Sequence, residues 1–255
     1  MRHKDIVPRS VLNFVGLPLL LAVWQVVFSL KLCNPTLLPS PGAALGRLWE
    51  ILITGNVLPD LGITLLRMAI GFSLAAVLGV AAGLLMGVYQ PLYRVLAPVV
   101  DFFRSLPVTA CYPVFVLLAG VNHASKSLMV FAAALPIIML NTSYGVRGVS
   151  PIRAQMARLF GASTPQVFLH VTIWEAAPQI WIGLRTAFSL SLVVEIVAEM
   201  FAGTQFGIGQ RLFEAFNTYR TDELYALILL TGGLGYMMNL AFALTERRLL
   251  HWSSK

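Results

Sequence analysis

Several stretches of this chain run for at least about 20 residues, the length that crosses a bilayer, without one charged side chain, among them Val11–Leu30, Met68–Tyr89, Ser127–Val146 and Leu224–Thr245. Of the whole chain 58% is hydrophobic and only 11% is charged, against roughly 25% charged in an ordinary soluble domain. With a mean hydropathy of +0.79, a soluble fold of this size could not cover its surface, so lipid is the solvent for most of the chain. In lipid every backbone N–H and C=O must be paired internally, which leaves helices or a closed barrel. A barrel would show short alternating segments. Long unbroken runs predict an all-α membrane protein.

Six spans are expected: Val11–Leu30, Leu61–Tyr89, a weaker one around Ser105–Val121, Ser127–Val146, Ala176–Phe201 carrying Arg185, Glu195 and Glu199, and Leu224–Thr245. The first reads as a retained span and not a signal peptide. Its apolar run is long, and Leu32-Cys33-Asn34-Pro35 provides no small-x-small cleavage site. With the N-terminus inside, the cytoplasmic segments hold Arg2, Lys4, Arg9, Arg94, Arg104, Arg147, Arg153, Arg158, Arg247, Arg248 and Lys255. The outer segments hold Lys31, Arg47, Lys126, Arg211 and Arg220, with Arg67 and Arg185 near span ends. The positive-inside bias therefore places both termini in the cytoplasm. No long linker or low-complexity tract appears, so a single domain over residues 1–255 is expected.

The composition and motifs exclude several functions. The net charge of +7 is not gathered into a basic cluster interleaved with aromatics, as nucleic-acid binding would need. Cys33 and Cys111 form neither a disulfide framework nor a CxxC pair. The nearest approach to a phosphate-binding loop, Gly120 to Ser127, has Ser125 where the second glycine must stand. No HExxH, GxSxG or calcium-loop pattern occurs, and His3, His123, His170 and His251 are scattered, so no metal, cofactor or catalytic set is expected. Asn141-Thr142-Ser143 fits a glycosylation sequon but falls in the inner half of a span.

Polar residues inside a membrane are costly and tend to face a bundle interior or a watery cavity. Glu195 and Glu199 are four apart and share one helix face. That face either lines the translocation path or a gate, or sits at the outer interface, hydrated or paired with a neighbouring cation. Asp101 and Arg104, three apart before Pro107, can pair on one face. They belong either to the path or to an interfacial ion pair. Arg185, one turn into its span, is expected to snorkel to the inner surface. In the second span Ala75, Gly79, Ala82, Gly83 and Gly87 make a small-xxx-small stripe that lets helix backbones touch.

Two connections exceed simple turns. The outer one, Lys31–Asp60, carries Pro35, Pro39 and Pro41 and then an amphipathic stretch, Ala43–Ile53, with Leu45, Leu48, Trp49 and Leu52 on one face. That stretch suits the membrane surface. The inner one, Arg147–Trp174, is more informative. Pro151 suits a first helical turn, residues 152–160 favour helix, and Gly161 can end it in a left-handed conformation. Ser163 or Thr164 can cap a second helix with Pro165 at its first position. A helix, tight turn and helix on the cytoplasmic face is a docking element, since a mere connection would be short and irregular.

This stretch resembles the cytoplasmic loop of ABC importer permeases, E-A-A-x-x-x-G followed some nine residues on by I-x-L-P. Gly161 takes the glycine position, and Gln155, Met156 and Ala157 take the E-A-A positions, of which Ala157 alone matches. Ile173-Trp174 stands where Leu-Pro is usual, and the literal Glu175-Ala176-Ala177 lacks the following glycine. Arg104-Ser-Leu-Pro107, Tyr112-Pro113, Gly120 and Ser125-Lys126 resemble the corresponding run of the nitrate, sulfonate and taurine branch. Gly161-Ala162-Ser163, Gly183-Leu184-Arg185, Ala198-Glu199-Met200 and Gly207-Ile208-Gly209 follow it in the same order. The likeness covers roughly residues 60–250. It implies a type I importer fold of six helices, in which the helix after Ser150 is a coupling helix. Gln155, Met156, Ala157, Leu159, Phe160, Gly161, Ala162 and Ser163 would form the ATPase-coupling loop. Two permease copies, two cytoplasmic ATPases and a periplasmic binding protein would assemble. The outer segments Ala43–Asp60 and Gly203–Glu223 would meet the binding protein, and the solute would be a small anion or zwitterion. A stand-alone secondary transporter would leave the structured inner loop without a task, and an intramembrane enzyme would need a nucleophile or metal set that is absent here.

Overall fold

The structure, a computed structural model, describes residues 9–201 and 206–250. Arg2, Lys4, Lys255 and the outer residues 203–205 lie outside them. Every regular element among the described residues is a helix: α1 (Arg9–Ser29), α2 (Pro41–Ile53), α3 (Leu58–Val88), α4 (Gln90–Ser105), α5 (Tyr112–Ala119), α6 (His123–Arg147), α7 (Pro151–Leu159), α8 (Thr164–Val167), α9 (Ile173–Phe201), α10 (Ile208–Asn217) and α11 (Thr221–Leu249). Four single stretches, Leu58–Val88, His123–Arg147, Thr164–Phe201 and Thr221–Leu249, are long and apolar enough to cross a membrane. The described residues form two compact units, one drawn from Met1–Leu58 and Leu212–Gly232, the other from Pro59–Arg211 and Gly233–Lys255.

Three of the expected spans differ from the sequence reading. Of the first, Val11–Leu30, the described residues give only a shorter apolar helical stretch of α1, Pro18–Ser29. The third, Ser105–Val121, is the second arm of a broken pair: Gln90–Ser105 and Val108–Ala119 meet at 83°. Pro107 causes the break. It has no N–H to continue the ladder, and its ring forces the residue before it out of helix; Leu106 is extended at φ −70° and ψ 134°. The fifth begins at Thr164 instead of Ala176 and runs 38 residues to Phe201. A π-helical turn over Phe168–Thr172 absorbs the extra residue that the two helical registers demand.

The larger unit is built on glycine contacts. A Cβ added at Gly79 would lie 2.9 Å from Ile138, at Gly83 2.6 Å from Thr142, and at Gly87 2.4 Å from Val146. No side chain fits there, so the stripe read from the sequence is the seam where α3 meets α6. Asn141 and Gln179 join α6 to α9 through a 2.9 Å hydrogen bond, and a Cβ at Gly183 would strike Asn141 at 2.5 Å. Apolar clusters fill the remaining space, among them Ala75, Ala134, Ile138 and Ala187 and Met86, Ala97, Val100 and Leu140. Trp181 and Phe188 both pack on Phe242 of α11, at 5.3 and 4.8 Å between ring centroids. Arg185 meets Glu246 at 3.5 Å, so the cation expected to snorkel also pairs at the inner end of α11.

In the smaller unit the Ser40 hydroxyl caps α2 by accepting from the Ala43 N–H at 3.1 Å. Leu45, Trp49 and Leu52 of α2 stay exposed, the apolar face expected for an interfacial helix. Buried Glu223 accepts from Arg47 and from Arg220, each at 3.0 Å. Donating to Glu50 and Glu223 pushes the pKa of the Arg47 guanidinium above its ordinary value. Trp24 donates to the Pro39 carbonyl at 3.0 Å and packs on Tyr225 at 5.4 Å.

Candidate coupling loop and buried charge site

The inner connection folds as a helix, a turn and a helix. Pro151 opens α7, and Phe160 follows its last residue. The Gly161 N–H donates to the Arg158 carbonyl at 2.9 Å and the Ala162 N–H to the Ala157 carbonyl at 3.0 Å. That pair of bonds is a Schellman end, which needs a left-handed residue between helix and exit; Gly161 supplies it at φ +85°. The Ser163 N–H then donates to the Gln166 side chain at 2.7 Å, satisfying one of the free donors at the start of α8.

This element hides little of its apolar surface. Leu159 is 86% exposed and Phe160 89%, while Met156 is also exposed and Gln155 and Ala162 lie around them at the surface or partly shielded. Ala157, Phe160, Gly161, Ala162 and Gln166 border an open cleft of about 420 Å³. Glu175, set aside in the sequence because no glycine follows it correctly, is what holds the helix in place. Its carboxylate accepts from the Ser150 N–H at 3.0 Å and pairs with Arg153 at 3.1 Å.

At the opposite end of the same unit lies a buried charge site. Glu195 and Glu199 are both fully buried on α9. Arg67 donates to Glu199 at 2.6 Å, the Thr64 hydroxyl at 2.8 Å and the Gly209 N–H at 3.0 Å. Arg67 also donates to the Phe206 carbonyl at 3.1 Å and to His123 Nδ1 at 2.8 Å. Asp60 accepts from the Gly207 N–H at 2.9 Å and faces Arg211 at 3.4 Å. Gly207 has φ +138°, and a Cβ there would lie 2.5 Å from the Glu199 carboxylate. Glycine is required on both counts.

Pairing with a neighbouring cation, one arrangement open from the sequence, is what Glu199 shows. Both carboxylate oxygens of Glu195 are buried without a hydrogen-bond partner among the described residues. Lys126, assigned by charge counting to an outer segment, is fully buried inside α6, where it donates to the Asn122 carbonyl at 3.2 Å. Sequence reading missed Arg67 and Thr64 as the partners of Glu199. The signal was charge balance: an acid buried at membrane depth needs a cation, and Arg67 stood near a span end.

Asp101 and Arg104 pair as expected, Nε to Oδ1 at 3.4 Å. They are far from burial, at 48% and 57% side-chain exposure for Asp101 and Arg104. Arg104 borders a cavity of about 290 Å³ at the α4 break, with Leu106, Pro107, Thr109, Ile137 and Leu190. Among the described residues no cluster of metal-ligating side chains occurs.

Long apolar helices locked by glycine, a structured helical turn between two of them and a buried charge site at the far end define a multi-pass membrane transport subunit. Residues 75–251 match the family described as binding-protein-dependent transport system inner membrane component, and the chain belongs to that family. It is 30% identical over 233 residues to the putative aliphatic sulfonates transport permease protein SsuC of Bacillus subtilis (strain 168), covering 91% of this chain and 84% of that protein. Identity to the taurine transport system permease protein TauC of Escherichia coli (strain K12) is 28%, over 96% of this chain and 90% of that one. The nitrate import permease protein NrtB of Synechocystis is 30% identical, over 94% and 89% of the two chains. The fold is similar to that of the inward-facing MetNI methionine ABC transporter, with a TM-score of 0.68 at 18% identity, covering 77% of this chain and 97% of that one. The chain is thus the permease of an ABC importer.

Proposed function

We propose that this permease moves a small anionic or zwitterionic solute of the nitrate, sulfonate and taurine kind, delivered by a periplasmic binding protein. Two copies pair in the membrane with both termini cytoplasmic. ATP is hydrolysed on two separate cytoplasmic subunits, and this chain carries no catalytic residue. The relatives named above support the solute class.

The observation that carries the coupling role is the bare apolar tip of α7. A monomeric domain gains nothing by leaving Met156, Leu159 and Phe160 in water, whereas a groove in an ATPase would cover them. When ATP draws the ATPases together, the tip moves as a rigid piece, because Glu175 ties it to α9. The helices then rock, a two-state change biased by a ligand bound elsewhere. Glu195 and Glu199 act in the outer gate. Supporting this, Glu199 and Arg67 join α3 to the segment around Phe206–Gly209, which rocking must carry or release. Asp101 and Arg104 line the path. The outer segments α2 and 206–223 receive the binding protein.

The deciding experiment is co-purification in detergent. A tagged chain brings down a P-loop ATPase, and the triple change Met156→Asp, Leu159→Asp, Phe160→Asp releases it while the permease still inserts. If the chain purifies alone and moves solute without ATP, it acts as a secondary transporter and the coupling role falls.

A further inference from the structure

Arg104 closes the first arm of the broken helix pair, with its side chain 57% exposed beside the cavity at the break. Asp101, one turn back on the same helix, meets it at Nε, at 3.4 Å. Among the described residues neither terminal amino group donates a hydrogen bond to a protein acceptor. The fork-shaped face of the guanidinium is therefore unclaimed, and that face holds a carboxylate, sulfonate or nitrate through two parallel hydrogen bonds.

The space beside it suits such a ligand. The cavity of about 290 Å³ is walled by Leu106, Pro107, Ile137 and Leu190, with Arg104 and Thr109 its polar side chains. Small-molecule pockets of roughly 300–1,000 Å³ share this make-up, mostly apolar with a few placed polar groups. The break itself creates the room: at 83° the two arms diverge where a straight helix would have filled the space. Thr109 sits just past Pro107, so one sequence feature, the proline, both opens the cavity and sets a hydroxyl near its mouth.

We propose that this cavity is an oxoanion subsite on the solute's path, with Arg104 grasping two oxygens of the ligand by its free edge and Thr109 donating to a third. The inference rests on the anionic-solute reading above. Asp101 has a definite part. It orients the guanidinium through Nε and neutralises it when the site is empty, while its negative charge keeps the anion weakly held. Weak holding is what a path requires, since a solute must leave as readily as it enters.

The test uses the complete transporter, permease with ATPase and binding protein, in proteoliposomes supplied with taurine, ethanesulfonate or nitrate. Arg104→Ala should cut ATP-driven uptake of the transported anion about tenfold or more, the worth of a charge-assisted pair of hydrogen bonds. Arg104→Lys should recover only part of it, because an ammonium is a point charge without the fork. Uptake by Arg104→Ala within about twofold of the parent, in an assembled complex, overturns the subsite and leaves the solute class standing. A parent complex that moves none of the three anions overturns the solute class, and the subsite with it. If Arg104→Ala fails to assemble, Arg104→Lys decides: full anion uptake would assign Arg104 a purely structural role and sink the proposal.

Discussion

Replacing Arg67 with methionine would strand a carboxylate. Glu199 is fully buried, and Arg67 is its cationic partner at 2.6 Å; afterwards the Thr64 hydroxyl and the Gly209 N–H are left to hold a full negative charge. Breaking a buried pair from one side costs about 3–5 kcal/mol, and at 2–4 °C per kcal/mol for a domain of this size the melting point falls by roughly 6–20 °C. A second change isolates the cause. Glu199→Gln added to Arg67→Met removes the charge, yet its amide oxygen still accepts from Thr64 and Gly209. The double variant should therefore melt well above Arg67→Met, recovering at least half of the loss. The assay is thermal unfolding in detergent by intrinsic fluorescence, at a fixed scan rate because membrane proteins seldom refold on cooling. A double variant no more stable than Arg67→Met would show that lost packing, and not a stranded charge, sets the cost. An Arg67→Met protein melting within about 2 °C of the parent, less than the roughly 2–4 °C expected per kcal/mol, would refute the reasoning altogether.

Three further outcomes follow from particular contacts. Gly161→Val forces a β-branched residue to φ +85°, costing about 1–3 kcal/mol locally; ATP-driven uptake should fall sharply while membrane insertion, read by fractionation, is unchanged. Gly83→Leu drives a side chain into Thr142 and the Met139 carbonyl, 2.6 and 2.7 Å from the new Cβ, and should abolish folded protein on size-exclusion chromatography. Glu175→Gln loosens α7 by weakening its hold on Ser150 and Arg153; limited proteolysis should cut after Arg153 or Arg158 several-fold faster than in the parent.

The helical membrane fold was legible because its cause is local. An uncharged run of twenty residues has few alternatives in lipid, and four of the six expected spans rest on such runs. The helix, turn and helix between α6 and α9 was legible for the same reason: Pro151, Gly161 and Pro165 punctuate the chain by backbone geometry alone, and the structure places a helix start, a left-handed turn and a second helix at those points. The charge site was only half legible. Glu195 and Glu199 stood out by their spacing, but Arg67 lies 132 residues from Glu199, and nothing local says that α3 and α9 will meet there. The burial of Lys126 was not legible because charge counting treats every cation near a span end as solvated. The break before Pro107 was hidden by composition, since both arms are apolar and hydropathy has no term for direction. The early start of α9 was hidden because a π turn leaves no clear mark in residue type.

The glycine seam has a mechanical consequence. Gly79, Gly83 and Gly87 meet α6 at intervals of one helical turn, with no side chain between to act as a bearing. Two rods meshed at such intervals cannot slip past each other without lifting apart. The 25 residues of α6 therefore work with α3 as a single strut about 37 Å long at 1.5 Å per residue. Its inner end leads straight through Gly148 into α7, and its outer end carries Lys126 beside Arg67 of α3. On the coupling role proposed for α7, a push at its tip would travel along this strut toward the charge site, with the chain breaks at Tyr89 and Pro107 as the nearest joints.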